Sequence, residues 1–569
     1  MTNVASGTAT FVPEDQAARS RARDGIDTTM LVEAGAGSGK TTLMISRMVQ
    51  LILNGVPVDR IAAVTFTRKA ASELRERFEV QLERTIDESR LAGDPHRARL
   101  VEQARRDMDR GFVGTIHAFC GRLLREHALA VSLPPDFEEV EELEHQSMRE
   151  QFWLSHVERL RLRDDAGLCA LDEAGISPAD LLPAFRMVEA NPDVEFAIEV
   201  GELPDHAKAL AEIEALLKRS FSIRPEPPLP TGRDALQGTI NRLHRQRRTA
   251  SWDNVCNFCS AVEGLTASSL KFTQNRWATD AAGKAAAKAL GEDWHAFVNG
   301  PLATFLDRWR EYRYPIVMRV LSEAAAECRR ERREQGKLDF ADLLMIAAEL
   351  LRTRPDARES LGRRYQHLLV DEFQDTDPVQ AEVCLLLASD PSEGNDWRTV
   401  RPRPGSLFVV GDPKQSIYRF RRADIETYEF VKQRLAASGE VHLLTHNFRS
   451  TKPIEEFVNA RFSGVFRQSD PAGAVPPHAG NGAASSGVHH ADDAPGSIAG
   501  GTQAMFAPMH TSRPAGASDG VYRYVVHPDK SNSNPSTAAA DASVLASWIA
   551  ARIAGGRSAR DFLVLTGRR

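Results

Sequence analysis

The run "AGAGSGKT", residues 34 to 41, holds the densest chemistry in the sequence. Small residues let backbone N–H groups curl around a phosphate, Lys40 adds a point charge, and the hydroxyl of Thr41 can ligate Mg²⁺. This is the phosphate-loop pattern, with Ala34 where the strict form has glycine. Gly35, Ala36, Gly37, Ser38, Gly39 and Thr42 complete the cradle. A glycine-rich turn with an incidental lysine is the plain alternative. The apolar lead-in "TMLVEA" and the amphipathic "KTTLMISRMVQLIL" supply the strand and helix that phosphate binding requires, and they favour the loop.

A nucleotide loop needs a second group for metal and water. In "HLLVDEFQDT" four residues of strand end at Asp371 and Glu372. An aspartate there can hold Mg²⁺, and the adjacent glutamate can orient or deprotonate an attacking water. Alone, the pair would read as an acidic turn capping a strand. "GDPKQSIYRFR" places Gln415 after a third strand, where its amide could sense a γ-phosphate, and follows it with Tyr418, Arg419, Phe420, Arg421 and Arg422. Aromatics interleaved with arginines suit a single-stranded nucleic acid, each stacked base being worth ~1–3 kcal/mol. "VTFTRKAA" sets Phe66 between Thr65 and Thr67 at another strand end, and "GTIHAF" sets His117 at another. Singly, such residues are core or cap groups; three strand ends carrying them beside one nucleotide loop form a constellation. Arg449 in "THNFRS" could reach a γ-phosphate from across a cleft, a contact that can contribute ~10³–10⁵ in rate.

The elements that must position these groups follow an α/β pattern. "TMLVEA", "IAAVTFT" and "FVGTIHAF" read as buried strands alternating with helices, which predicts a parallel sheet. Residues 1–140 form the first part of this domain, 141–334 a mostly helical insertion broken by the loop "SIRPEPPLPTG", and 335–438 the second part. Residues 439–569 read as the start of a second domain. It opens with the strand "EVHLLTHNF" and closes with "GVYRYVVH", a helix and the strand "DFLVLTGRR". Within it, 469–520 is a low-complexity stretch expected to be disordered.

At 569 residues, 42% hydrophobic and 26% charged, the composition is that of a globular protein. No signal pattern or long apolar run is visible, so a cytoplasmic location with no membrane contact is the expectation. The six scattered cysteines do not make a disulfide framework. "CNFC" offers two ligands where zinc needs four, "VHHADD" lies in the low-complexity stretch, and "RRERREQGK" reads as a solvated helix face. The net charge of −6 neither advertises nor excludes a nucleic-acid groove.

Taken in order, "AGAGSGKTT", "AVTFTRKAASELRERF", "GTIHAFCGRLLREH", "LDFADLL", "VDEFQDTDPVQ", "GDPKQSIYRFRRAD" and "NFRS" resemble superfamily 1A helicases of the UvrD/Rep type, closest to the RecB/AddA branch. The resemblance implies a RecA-like phosphate-loop domain with a 1B-like insertion and the beginning of a second RecA-like domain. The implied activity is an ATP- and Mg²⁺-dependent 3′-to-5′ DNA helicase of recombination and double-strand break repair. It would act on single-stranded DNA and duplex ends beside an AddB- or RecC-like partner subunit. By the same resemblance Gln16 would read adenine, with Phe448 near it. Arg75 and Arg449 would reach the nucleotide, and Thr65, Phe66, His117, Tyr418 and Phe420 would face the single strand. The family's "KGLEF"-like and "ALTRA" motifs are absent from the sequence, which implies truncation within the second domain and weak ATP turnover. A non-motor DNA-binding scaffold with a degenerate helicase fold is the alternative reading.

Overall fold

A computed structural model describes residues 11–266, 268–419, 422–463, 467–468, 505–516, 520–521 and 534–564. The chain passes through β1 (Met30–Ala34), β2 (Ile61–Thr65), β3 (Phe112–Thr115), β4 (Glu138–Glu139), β5 (Lys337–Leu338), β6 (His367–Val370), β7 (Leu407–Gly411) and β8 (Glu440–Leu444). The central sheet has the order β3-β2-β6-β7-β1-β8, and each of its pairings is parallel. Parallel neighbours require crossovers, so helices cover both faces and the strands are apolar on both sides. Leu31, Val64, Leu368 and Val409 enter one core with the helices Ile116–Glu126, Phe340–Thr353 and Pro378–Ala388. Val32, Ala63, Leu369 and Val410 enter the other, against the helices Lys40–Leu53 and Arg68–Leu91. This is the α/β architecture the sequence pattern predicts. Short polar caps start each crossover at the strand's end: Thr67 accepts from Ala70 N–H, Thr115 from Ala118 N–H and Asp377 from Gln380 N–H.

Two readings of the C-terminal part change. The strand at 440–444 does not open a separate sheet; it pairs with β1 from Met30↔Glu440 to Ala34↔Leu444 and covers what would be an open edge. Part of the stretch expected to be disordered is packed. Asn447 N–H donates to His510 O and His510 N–H to Thr445 O, while Met509 N–H and O both bond the Asn459 amide. Phe506, buried to 7%, is the apolar anchor that composition hid among prolines and glycines. The expected terminal strand is a short turn at Ala559–Asp561 followed by extended chain to 564. "YRYVVHPDK", "VHHADD" and residues 565–569 lie outside the described residues. Cys256 and Cys259 sit on the helix Val255–Val262 as free thiols, as read from their spacing. No helix among the described residues is long and apolar enough to cross a membrane.

Entry to and exit from the helical insertion are clamped together by the parallel pair β4–β5. The helix Ala303–Gln335, of 33 residues and about 50 Å, is its strut. Phe305 and Trp309 at one end belong to a core with Trp252 and Trp294, and Leu321 and Ala324 belong to a second with Trp153 and Phe185. At its other end Arg332, in the run read as a solvated face, is only 3% exposed. Its Nε and Nη2 each donate to the Asp342 carboxylate at 2.9 Å, and Nη1 donates to Glu189. His145 Nε2 lies 3.2 Å from Asp339 Oδ2 and 3.7 Å from Glu189 Oε2. The ligand-type atoms of His145, Glu189 and Asp339 fall within 4.8 Å of one another. Arg332 and Arg149 occupy those carboxylates, so the cluster is an ion-pair hub tying the insertion to the helix that Asp339 caps.

Burial alone would raise the Glu189 carboxyl; contact with His145 and the Arg332 guanidinium reverses this and holds it at about 2, against 4.5 ordinarily. Its stabilising contribution is therefore full above pH 4.5 and lost as the pH falls through 2. Asp342, pushed to about 6 by burial with Arg332 opposing, runs the other way, its contribution fading as the pH rises through that value. Arg332→Leu, which strands two buried carboxylates, is expected to cost about 3–5 kcal/mol in urea unfolding at neutral pH. Glu189→Gln should flatten the loss of thermal stability between pH 4.5 and 2, followed by circular dichroism.

Candidate nucleotide site and nucleic-acid face

Because all six strands are parallel, their C-terminal ends share one edge, and β1 sits there between β7 and β8 where the strand order reverses. The phosphate loop leaves β1 through Gly37 (φ +76°) and Gly39 (φ +85°), left-handed positions that turn the chain into the helix starting at Lys40. The far end of the chain fastens this loop. Phe448 N–H donates to Gly37 O at 2.8 Å, and Asn447 Nδ2 to Ala36 O at 2.6 Å. A Cβ on Gly37 would meet Arg449 Cβ at 2.7 Å and Asn447 Oδ1 at 2.8 Å, so only glycine admits the strap. Arg19 binds Ser38 O at 2.6 Å and pairs with Asp15 at 2.7 Å, and Asp15 in turn accepts Thr445 N–H and His446 N–H. Its guanidinium also lies 4.9 Å over the Phe448 ring.

Gln16, Arg19, Gly39, Thr42 and Phe448 line a cavity of about 430 Å³ beside the loop. The structure thus brings Gln16 and Phe448 together as expected, and Arg449 is exposed next to the loop. Arg75 is not brought there. It is ion-paired with Asp109 at 2.5 Å, because its position on the helix Arg68–Leu91 faces the turn before β3 rather than β1.

Across the edge, Lys40 Nζ donates to Glu372 Oε2 at 2.7 Å. Glu372 has φ +52°, a strained backbone for a residue with a side chain and one that recurs at functional turns. Desolvation pushes the Asp371 carboxyl up to about 6; the Glu372 charge adds to this and Lys40 opposes it. Asp375 is raised to about 6 by burial and Glu372 in the same way. Three acids with one lysine leave this corner short of positive charge. Gln374, which sequence reasoning passed over, donates to Glu372 Oε2 at 2.8 Å and accepts Asp412 N–H at 2.8 Å. Asp412 in turn accepts from Gln415 Nε2 at 2.6 Å. Asp15, Arg19, Asp412 and Asn447 were missed for the same reason: each acts through a backbone group hundreds of residues or one strand away, which no local spacing marks.

The neighbouring strand ends carry the aromatic face. Phe66 and Tyr418 stack at 4.9 Å with a 35° tilt. His117 meets Phe340 edge-on at 5.2 Å; burial lowers its pKa against the pull of Asp339, so the ring is neutral at pH 7. Thr65 is 2% exposed and its hydroxyl donates to Thr67 O, and the Thr67 hydroxyl caps the following helix. Both therefore shape the strand end. Arg422, with φ +68°, reaches away to Asp193 of the insertion. Phe420 and Arg421 lie outside the described residues.

Comparison with known proteins agrees with this geometry. The UvrD/REP helicase N-terminal domain matches residues 15–436. The chain is 27% identical over 490 residues to the AddA-type subunit of an ATP-dependent helicase/nuclease from Pediococcus pentosaceus, covering 77% of this chain and 38% of that protein. Its counterpart from Levilactobacillus brevis is 28% identical over 488 residues (76% and 37% covered), and that of Latilactobacillus sakei is 26% identical over 540 (81% and 55%). The chain thus spans between about two fifths and just over half of the length of these relatives. With that domain matched over most of its length, the chain belongs to the UvrD/REP helicase family, and these relatives stand on its AddA side.

Proposed function

We propose that this chain is the motor portion of an ATP-driven 3′-to-5′ DNA translocase that works on single-stranded DNA in recombination and double-strand break repair. The observation that carries the reading is the 2.7 Å contact between Lys40 and Glu372 at the same sheet edge as the Phe66–Tyr418 ring pair. Nucleotide phosphates entering the Gly37–Gly39 turn meet backbone N–H groups and a helix N-terminus, and they compete with Glu372 for Lys40. The adenine side fits the cavity between Gln16 and Phe448.

The charge-poor corner at Asp371, with the Thr41 hydroxyl, suits a divalent cation; Mg²⁺ held there would neutralise phosphate charge. Released from Lys40, the Glu372 carboxylate is placed to orient water for attack on the γ-phosphorus, with ADP as leaving group. Gln415 senses the γ-phosphate, and Arg449 stabilises the charge that develops on it. Phe66, Tyr418 and His117 offer rings to unpaired bases, whose sequence-tolerant stacking suits a translocase. The relatives are each named as one component of a helicase/nuclease, which supports an AddB- or RecC-like partner and a cytoplasmic setting for this protein as well.

DNA-stimulated ATP turnover tests the reading. Lys40→Ala should remove at least about 10²-fold of that turnover. A chain that binds DNA while Lys40→Ala changes nothing would instead be a scaffold. Tyr418→Ala should weaken binding of a fluorescent oligo(dT) by ~1–3 kcal/mol in an anisotropy titration, with the binding of nucleotide preserved. Arg449→Ala should lower kcat by about 10³-fold with little effect on nucleotide affinity, measured in single-turnover assays.

A further inference from the structure

The acid beside the phosphate loop and the segment bearing Tyr418 are joined by an unbroken line of hydrogen bonds. Glu372 Oε2 accepts from Lys40 Nζ at 2.7 Å and from Gln374 Nε2 at 2.8 Å. The other end of the same amide, Gln374 Oε1, accepts Asp412 N–H at 2.8 Å. Asp412 Oδ2 then accepts from Gln415 Nε2 at 2.6 Å, and its Oδ1 accepts Lys414 N–H at 3.1 Å. Ser416 Oγ returns a bond to Gln374 O at 3.0 Å.

The orientation of the Gln374 amide is fixed by its partners, since a carboxylate can only accept and a backbone N–H can only donate. Gln374 and Asp412 are each 2% exposed, so water cannot replace a broken link. The approach is built into the backbone: a Cβ on Gly411 would stand 2.9 Å from Gln374 Oε1 and push the amide off. A short rigid amide bonded at both ends cannot let Glu372 move without moving Asp412 or breaking a buried bond.

We propose that Gln374 is a positioning residue that transmits the state of the nucleotide pocket to residues 415–418. The inference rests on the ATP-driven reading above and names how that site is coupled to its nucleic-acid face. When phosphates draw Lys40 away, Glu372 loses one of its two partners and turns. The Gln374 amide follows it, and Asp412 carries the displacement to Gln415 and so to the ring of Tyr418 against Phe66.

The test places a reporter in the full chain by Ile417→Trp, a position 70% exposed between Ser416 and Tyr418. Tryptophan emission is recorded while a non-hydrolysable ATP analogue is added with Mg²⁺, and a fluorescent nucleotide measures binding separately. Nucleotide should change the emission. Adding Gln374→Leu should reduce that response about tenfold while the fluorescent nucleotide still binds. Gln374→Glu, which keeps an acceptor for Asp412 N–H and loses the donor to Glu372, should do the same and decides the matter if the leucine variant fails to fold. A full response in either folded variant overturns the relay. Nucleotide binding with no response in the reporter chain also overturns it and leaves the motor reading standing. Failure of the reporter chain to bind nucleotide overturns both.

Discussion

Parallel pairing of β1, β2, β3, β6, β7 and β8 is the constraint on which the rest of the molecule depends. Each strand in such a sheet must deliver its C-terminal end to the same edge, because the crossover helix carries the chain back before the next strand begins. The phosphate loop, Phe66, His117, the Asp371–Glu372 turn, Gln415 and the strap at 445–449 all follow strand ends. Chemistry dispersed over more than 400 residues of sequence is thereby concentrated without any loop having to travel far. The same arrangement makes the edge rigid. Its residues are mounted on strands buried on both faces, which suits groups that must respond to a phosphate by small displacements.

Charge is used in opposite ways at the two ends of this scaffold. At the hub beneath the insertion, Glu189, Asp339 and Asp342 are met by Arg332 and Arg149, and the charges are closed against one another. At the sheet edge, Asp371, Glu372 and Asp375 share Lys40, and the carboxyls of Asp371 and Asp375 are pushed up to about 6 for want of compensation. A balanced buried cluster fixes geometry, whereas an unbalanced one at a rim invites a cation or a displaced lysine. Similar residue types thus yield a joint in one place and a reactive corner in the other.

The strap shows how the chain's distant parts complete the loop. Asp15 and Arg19 precede β1, Asn447 and Phe448 follow β8, and all of them converge on backbone atoms of the loop or of one another. Gly37 is required less for turning than for the closeness of Arg449 and Asn447. The loop's shape is therefore a property of the assembled sheet, with β8 in place beside β1.

Local pattern determined a great deal on its own. The phosphate loop, the acid pair, the apolar strands, the helical insertion and the ring-bearing strand ends were all legible, because composition and periodicity over a few residues decide whether a segment can be a buried strand, a cap or a phosphate cradle. Partnership was not legible. Arg332 looked solvated and is buried on Asp342 and Glu189; Arg75 looked like a nucleotide contact and is held by Asp109. Arg422 looked like a phosphate contact and reaches Asp193, and Gln374 looked like a filler between two acids and bridges Glu372 to Asp412. Each of these outcomes depends on which strand or helix lies alongside, and in a parallel sheet neighbours in space are separated by whole crossovers in sequence. A one-dimensional pattern records what a residue can do, while the fold alone decides what it is next to.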